Sequence, residues 1–185
     1  LGSSITSTSC GGAVCTLALD DTELGRLVNG FSAITIGSTS GTGAIAINYT
    51  TPYTFLDPVT IRSQATSGGG AITATSALAS GTNNMTISTY GAVSVAAITS
   101  AGNLAITGNG ITLNGDITTS GTQTYTGAVT LGGSVSIAST GNSSAGNAIS
   151  FSSSIDGSNN LTINSGTGVI TLGGNVTTTG SQTYT

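Results

Sequence analysis

Residues 115–126 read GDITTSGTQTYT, and residues 174–185 read GNVTTTGSQTYT. The copies, beginning at Gly115 and Gly174, agree at eight of twelve positions. The four differences, Asp116/Asn175, Ile117/Val176, Ser120/Thr179 and Thr122/Ser181, keep size or polarity. The match runs upstream as well, from ITLN at 111–114 to ITLG at 170–173. Self-similarity at a fixed separation marks a repeat architecture, in which each unit buries its apolar face against the next.

Around these copies a shorter pattern recurs from residue 31: apolar, small, apolar, then a turn residue. Period-two alternation over so few residues predicts short strands with one buried face. It assigns to the interior Ile34, Ile36, Ile45, Ile47, Val59, Ile61, Leu104, Ile106, Ile111, Leu113, Val129 and Leu131. The same rule assigns Ile149, Phe151, Leu161, Ile163, Ile170 and Leu172. MTIS (85–88), VSVA (93–96) and VSIA (135–138) carry the pattern too. The Thr, Ser or Ala between each apolar pair faces outward. The Asn, Gly and Asp that follow are expected to turn the chain by adopting left-handed backbone angles.

Spacing selects the architecture. ITLNGDI begins at Ile111, VTLGGSV at Val129 and ITLGGNV at Ile170. Ile111 to Val129 reads as one coil, Val129 to Ile170 as two, and Ile111 to Ile170 as three. These steps predict an all-β parallel β-helix (β-solenoid) with about nine rungs of roughly 20 residues. A sandwich needs hairpin-scale repeats, and none is evident. At about 4.8 Å per rung the rod would be roughly 45 Å long. Residues 1–185 read as a single repeat segment, less regular over 1–30 and regular over 31–185. LGSSITSTS lacks the basic start of a signal peptide, and QTYT stops within a repeat. Both lead us to expect a piece of a longer or processed polypeptide.

The less regular part holds two local features. Cys10 and Cys15 bracket a Gly-Gly turn and are a disulfide candidate suited to an oxidising compartment; two small buried thiols are the plainer reading. DDTELGRLVNG at 20–30 is helix-like, with Asp20 or Asp21 as cap, Glu23 in the first turn, Arg26 near the end and Asn29-Gly30 as the stop.

Composition narrows function. Two arginines and no lysine or histidine give a net charge of −4. Without a basic patch the chain is not expected to bind nucleic acid. No run reaches the roughly 18 apolar residues of a membrane span. Ser and Thr make up about a third of the chain, but 37% of residues are hydrophobic and patterned, which argues against disorder. Without histidine the commonest general base is absent. Asp20, Asp21, Glu23, Asp57, Asp116 and Asp156 are mostly scattered singly in turn-like contexts, so no enzyme is expected. Asp57 and Arg62 flank one strand and could pair. The calcium-binding GGxGxD turn is absent, and Asp20, Asp21 and Glu23 read as helix caps rather than metal ligands. No cofactor is expected. Sequons at Asn48, Asn84, Asn142, Asn160 and Asn175 are no more numerous than this composition gives by chance. Thr118, Thr124, Thr126, Thr177, Thr183 and Thr185 could form hydroxyl rows that order water and bind ice, the runner-up reading. Tyr125 and Tyr184 could stack on sugars or pack at corners.

ELGRLVNGFSAITIGSTSGTGAIAIN at 23–48 resembles a segment of filamentous-haemagglutinin-type exoproteins, the large surface adhesins of Gram-negative bacteria exported by two-partner secretion. GTQTYTGAVTLGGSV at 121–135 is similar to repeats common in that family. The resemblance runs from about residue 17 to the end. It implies a right-handed parallel β-helix, export through a partner transporter, a secreted bacterial cell-surface location, and a role as stalk or fibre. The partners it implies are the continuing β-helix of the same chain, other copies in a fibre, and a host-cell or carbohydrate receptor.

Overall fold

The computed structural model describes residues 16–66, 68–139 and 146–185. Within them the chain coils through three parallel sheets, a parallel β-solenoid with three strands per rung. Face 1 stacks Ile34–Ser38, Val59–Ser63, Met85–Thr89, Leu104–Thr107, Gln123–Thr126, Ile149–Phe151 and Ile170–Leu172. Face 2 stacks Leu17–Leu19, Ile45–Ile47, Ile72–Ala74, Ala92–Val95, Gly110–Leu113, Val129–Leu131, Ile155–Gly157 and Val176–Thr178. Face 3 stacks Tyr53–Thr54, Leu78–Ala79, Ile98–Ser100, Ile117–Thr118, Val135–Ala138, Leu161–Asn164 and Gln182–Tyr184. The chain visits faces 1, 2 and 3 in turn and then climbs one rung.

Alternation does what the sequence predicts. Along face 1, Ile36, Ile61, Ile87, Ile106, Tyr125, Phe151 and Leu172 lie in one register column. All but Leu172 are buried. Leu113 pairs with Leu131 on face 2. One continuous apolar core runs through the rungs, and each fully buried Leu or Ile contributes about 1.5–3 kcal/mol.

Coil length departs from expectation. The column on face 1 marks one coil at each step. Ile87 to Ile106 and Ile106 to Tyr125 are the shortest steps. Ile36 to Ile61, Ile61 to Ile87 and Tyr125 to Phe151 each hold about a third more chain. The extra residues sit in corners, so the described residues hold seven rungs on faces 1 and 3 and eight on face 2, rather than about nine. The spacings need correction too. Ile111 to Val129 is one coil, since the two pair. The longer steps are not whole coils. Val129 lies on face 2 and Ile170 on face 1; Ile117 lies on face 3 and Val176 on face 2. The repeated stretch is therefore used at two different corners. Leu172 consequently continues the column of Phe151 on face 1, not that of Leu113 and Leu131.

The corners also work differently from the expectation. Among the described residues every positive φ belongs to glycine; no Asn or Asp turns the chain by left-handed geometry. Asparagine instead ties rungs with its side chain. Asn103 Oδ1 accepts from Thr122 N–H at 2.9 Å, Asn160 Oδ1 from Ser181 N–H at 2.9 Å, and Asn159 Nδ2 donates to Leu131 O at 2.9 Å. Between faces 3 and 1, buried hydroxyls close the corner. Ser80 donates to Asn83 O at 2.7 Å, Thr119 to Gly121 O at 2.7 Å and Ser165 to Gly168 O at 2.8 Å. At Gly127, with φ 130°, a Cβ would lie 2.0 Å from Gly108 O, so only glycine lets the two corners stack.

The helix-like stretch at 20–30 forms a single helical turn, Asp21–Leu24, between the first strands of faces 2 and 1. Asp20 is the cap: its Oδ1 accepts from Thr22 N–H at 2.8 Å and Glu23 N–H at 3.0 Å, and Glu23 Oε2 accepts from Asp20 N–H, completing a capping box. Leu24 is buried on the core, and Tyr53 donates its hydroxyl to Leu24 O at 2.8 Å. Cys10 and Cys15 lie outside the described residues.

Candidate functional site

Among the described residues the acidic side chains outside the capping box are each tied to a neighbouring segment. Asp116 Oδ1 accepts from Ser136 N–H at 2.8 Å, one rung on. Asp156 accepts from Ser154 Oγ at 3.0 Å and from Thr177 Oγ1. Asp21 accepts from Thr50 N–H at 3.0 Å, and Asp57 accepts from Gly30 N–H at 3.3 Å through either oxygen. The expected pair of Asp57 with Arg62 is not formed: the Asp57 carboxylate turns to the Gly30 amide, and Arg62 Nε is buried with no partner. Among the described residues no three His, Cys, Asp or Glu side chains cluster as metal ligands, and no helix is long and apolar enough to cross a membrane.

The threonine rows are also placed differently. Thr124 and Thr126 lie on face 1, Thr177 on face 2, and Thr118 and Thr183 on face 3, with Thr185 just past its last strand, so the six never share a surface. A different row does form. Thr35, Thr60, Thr86, Ala105, Thr124, Ser150 and Thr171 are consecutive register partners pointing outward along face 1.

The repeated stretch has the most specific chemistry in the molecule. Gln123 and Tyr125 point into the core, where Tyr125 is fully buried and Gln123 nearly so. Gln123 Nε2 donates to Thr119 Oγ1 at 2.9 Å and to Ala138 O at 2.8 Å, and Gln123 Oε1 accepts from the Tyr125 hydroxyl at 2.7 Å. The Tyr125 ring stacks on Phe151 one rung on, with centroids 4.6 Å apart and planes 6° from parallel. Burial pushes its phenol far above the usual tyrosine range. Tyr125 is therefore a core residue and cannot meet a sugar.

The second copy repeats the geometry in the last described strands. Gln182 Nε2 donates to Thr178 Oγ1 at 2.9 Å, and the Tyr184 hydroxyl donates to Gln182 Oε1 at 2.9 Å. Here Gln182 and Tyr184 are exposed, as is Leu172. Partial desolvation raises the Tyr184 pKa. Expecting glutamine outside a core hides this triad from a composition-based reading. Strand parity reveals it, because in Gln-Thr-Tyr-Thr the glutamine and tyrosine share one side.

Beside the helical turn Leu17, Leu19, Leu24, Leu27, Ile34 and Ile36 line a cavity of about 450 Å³. Comparison with family models, with curated proteins and with solved structures returned no match for this chain.

Proposed function

We propose that this chain is a length of stalk, a stiff spacer within a secreted, rod-like bacterial surface protein of the filamentous-haemagglutinin kind. The observation that carries this reading is the single core running through successive rungs, beneath faces whose outward residues are mostly small and uncharged. Outside the capping box the acidic groups tie neighbouring segments together. Such a body supplies length and resistance to unravelling. Its binding partners at the cell surface would be met elsewhere along the rod.

Single-molecule stretching between the chain ends tests this. A stalk keeps its length until rungs give way, and each rung then releases roughly 65–90 Å of extended chain. Smooth extension at low force, without rung-sized steps, would rule the spacer out.

The hydroxyl row of face 1 favours a second reading, a surface that orders water and binds ice. Thermal hysteresis that Thr86→Val and Thr124→Val abolish would establish it. A null result leaves the row as ordinary exposed-strand threonine.

A further inference from the structure

Arg62 is one of two basic side chains in the chain, and among the described residues no acid pairs with it. Register sets its surroundings on face 1. Arg62 lies between Gly37 and Ser88, and its chain neighbours Ile61 and Ser63 point inward. The Arg62 side chain therefore leaves on the outer surface, half-buried, with Nε shut away from water and bonded to nothing. Taking water from a charge without supplying a partner is costly, and it strengthens the pull on an anion that arrives. The nearest acid along the chain, Asp57, is bonded to the Gly30 amide.

Two further side chains flank this charge. Gln64 shares the outward parity of Arg62, and its Nε2 donates to Ser88 Oγ at 2.6 Å, which holds the amide against the next rung and leaves Oε1 as an acceptor. Thr89 turns its hydroxyl inward, 2.8 Å from Ser63 O and 2.6 Å from Gly70 O, so Tyr90, the next residue, leaves on the outer side and is 56% exposed. Arg62 and Tyr90 are one rung and two residues apart, about 8 Å between backbones. Thr60 and Thr86, outward and in register, form a low hydroxyl floor beside them. Both strands are paired on either side, second and third of the seven on face 1, so this surface lies on the rod's flank.

We infer that Arg62, Gln64 and Tyr90 form a binding site for an acidic saccharide, a sugar ring that carries a carboxylate. The guanidinium takes the carboxylate through charge-assisted hydrogen bonds. The Tyr90 ring lies against the C–H face of the sugar with its hydroxyl in water. Gln64 Oε1 and the floor threonines meet the ring hydroxyls. A bare anion would leave Tyr90 and the hydroxyl floor unused, and a neutral sugar would leave Arg62 unpaired. An acidic peptide added as a strand needs a free sheet edge, and these strands have none. The site adds a contact on this segment to any met elsewhere along the rod, and it holds whether or not the rod is a stalk.

Titration of the full chain with tri-galacturonate, followed by amide NMR shifts, tests this. Saturable shifts centred on residues 60–64 and 86–90 are expected, with a dissociation constant of about 1 mM or below that rises with salt. Neutral galactotriose should bind about tenfold more weakly or worse, and Arg62→Gln and Tyr90→Ala should each weaken tri-galacturonate binding by about tenfold. Both side chains leave on the outer surface, so the fold should survive, which an unchanged circular dichroism spectrum checks. Should Arg62→Gln disturb it, Tyr90→Ala alone decides. Absence of saturable shifts, or binding indifferent to the substitutions, overturns the inference. So does acetate binding as tightly as tri-galacturonate and independently of Tyr90, which would leave a bare anion site. The rung-sized steps expected of a stalk under force do not depend on either result.

Discussion

Gln123 and Tyr125 allow a quantitative test of whether the buried triad acts as one unit. Tyr125→Phe keeps the ring on Phe151 but removes the hydroxyl, leaving Gln123 Oε1 buried without its donor. A stranded buried polar atom costs about 1–3 kcal/mol. Gln123→Leu strands the Tyr125 hydroxyl instead, at a similar cost. It strands little else, because Ala138 O still accepts from Thr119 N–H at 2.9 Å and Thr119 Oγ1 still donates to Gly121 O. The double substitution removes both halves of the central bond and places apolar groups of like size against each other. Such paired replacement is close to neutral. The two single variants should therefore each lose about 2 kcal/mol, and the double about 1 kcal/mol or less, a coupling of roughly 3 kcal/mol. Urea unfolding followed by far-ultraviolet circular dichroism measures all four corners of the cycle, with an unchanged m-value confirming that the same surface is exposed. If the double variant equals the sum of the singles within about 0.5 kcal/mol, the triad is three independent contacts and the reasoning fails.

Three further outcomes follow from named groups. The Tyr125 phenol has a folded pKa well above its unfolded value of 10.0, so its stabilising effect is complete below pH 10 and declines as pH rises. Stability from urea unfolding should be flat from pH 8 and then fall above pH 10 by about 1.4 kcal/mol per pH unit for this group, and Tyr125→Phe should flatten that fall. Leu131→Asp places a carboxylate in a nearly closed position against Leu113; calorimetry should show a loss of about 4 kcal/mol, or roughly 10 °C in Tm, and an unchanged Tm would disprove its inward assignment. Gly157→Ala should cost about 1–3 kcal/mol by the same measurement, because φ is 141° and the added Cβ sits 3.0 Å from Leu131 Cβ and O.

What the sequence made legible was the strand interior. Ile-Thr-Leu and Val-Thr-Leu can be read because β-branched and leucine side chains at period two have one stable placement. Corners were not legible in the same way. A tie such as Asn103 to Thr122 and a buried hydroxyl such as Ser80 use residue types that are abundant along the whole chain, so the individual that matters does not stand out. Very short strands were missed for a related reason. Tyr53–Thr54, Leu78–Ala79 and Ile117–Thr118 have two residues each, too few for periodicity to register. Ile72 and Ile155 are buried but sit among glycine, alanine and serine, and their pattern dissolves into the background.

The separation between Gly115 and Gly174 shows what is repeated in this protein. A whole-coil repeat would return each copy to its own face, and Ile117 would share a column with Val176. Ile117 instead stacks on Ile137 in face 3, while Val176 stacks on Ile155 in face 2. The second copy starts eight strands after the first, and eight is not a multiple of three. The recurring unit is thus strand, corner and strand, closed by its own Thr–Gln–Tyr bonds. A unit that satisfies its polar groups internally needs little from the identity of the corner it occupies. From the next rung it requires one carbonyl and one apolar or aromatic partner, and stacked parallel strands can supply both from any face. A rung as short as Ile106 to Tyr125 can then be followed by one as long as Tyr125 to Phe151 without breaking the core, because register passes along each face while corner length varies freely.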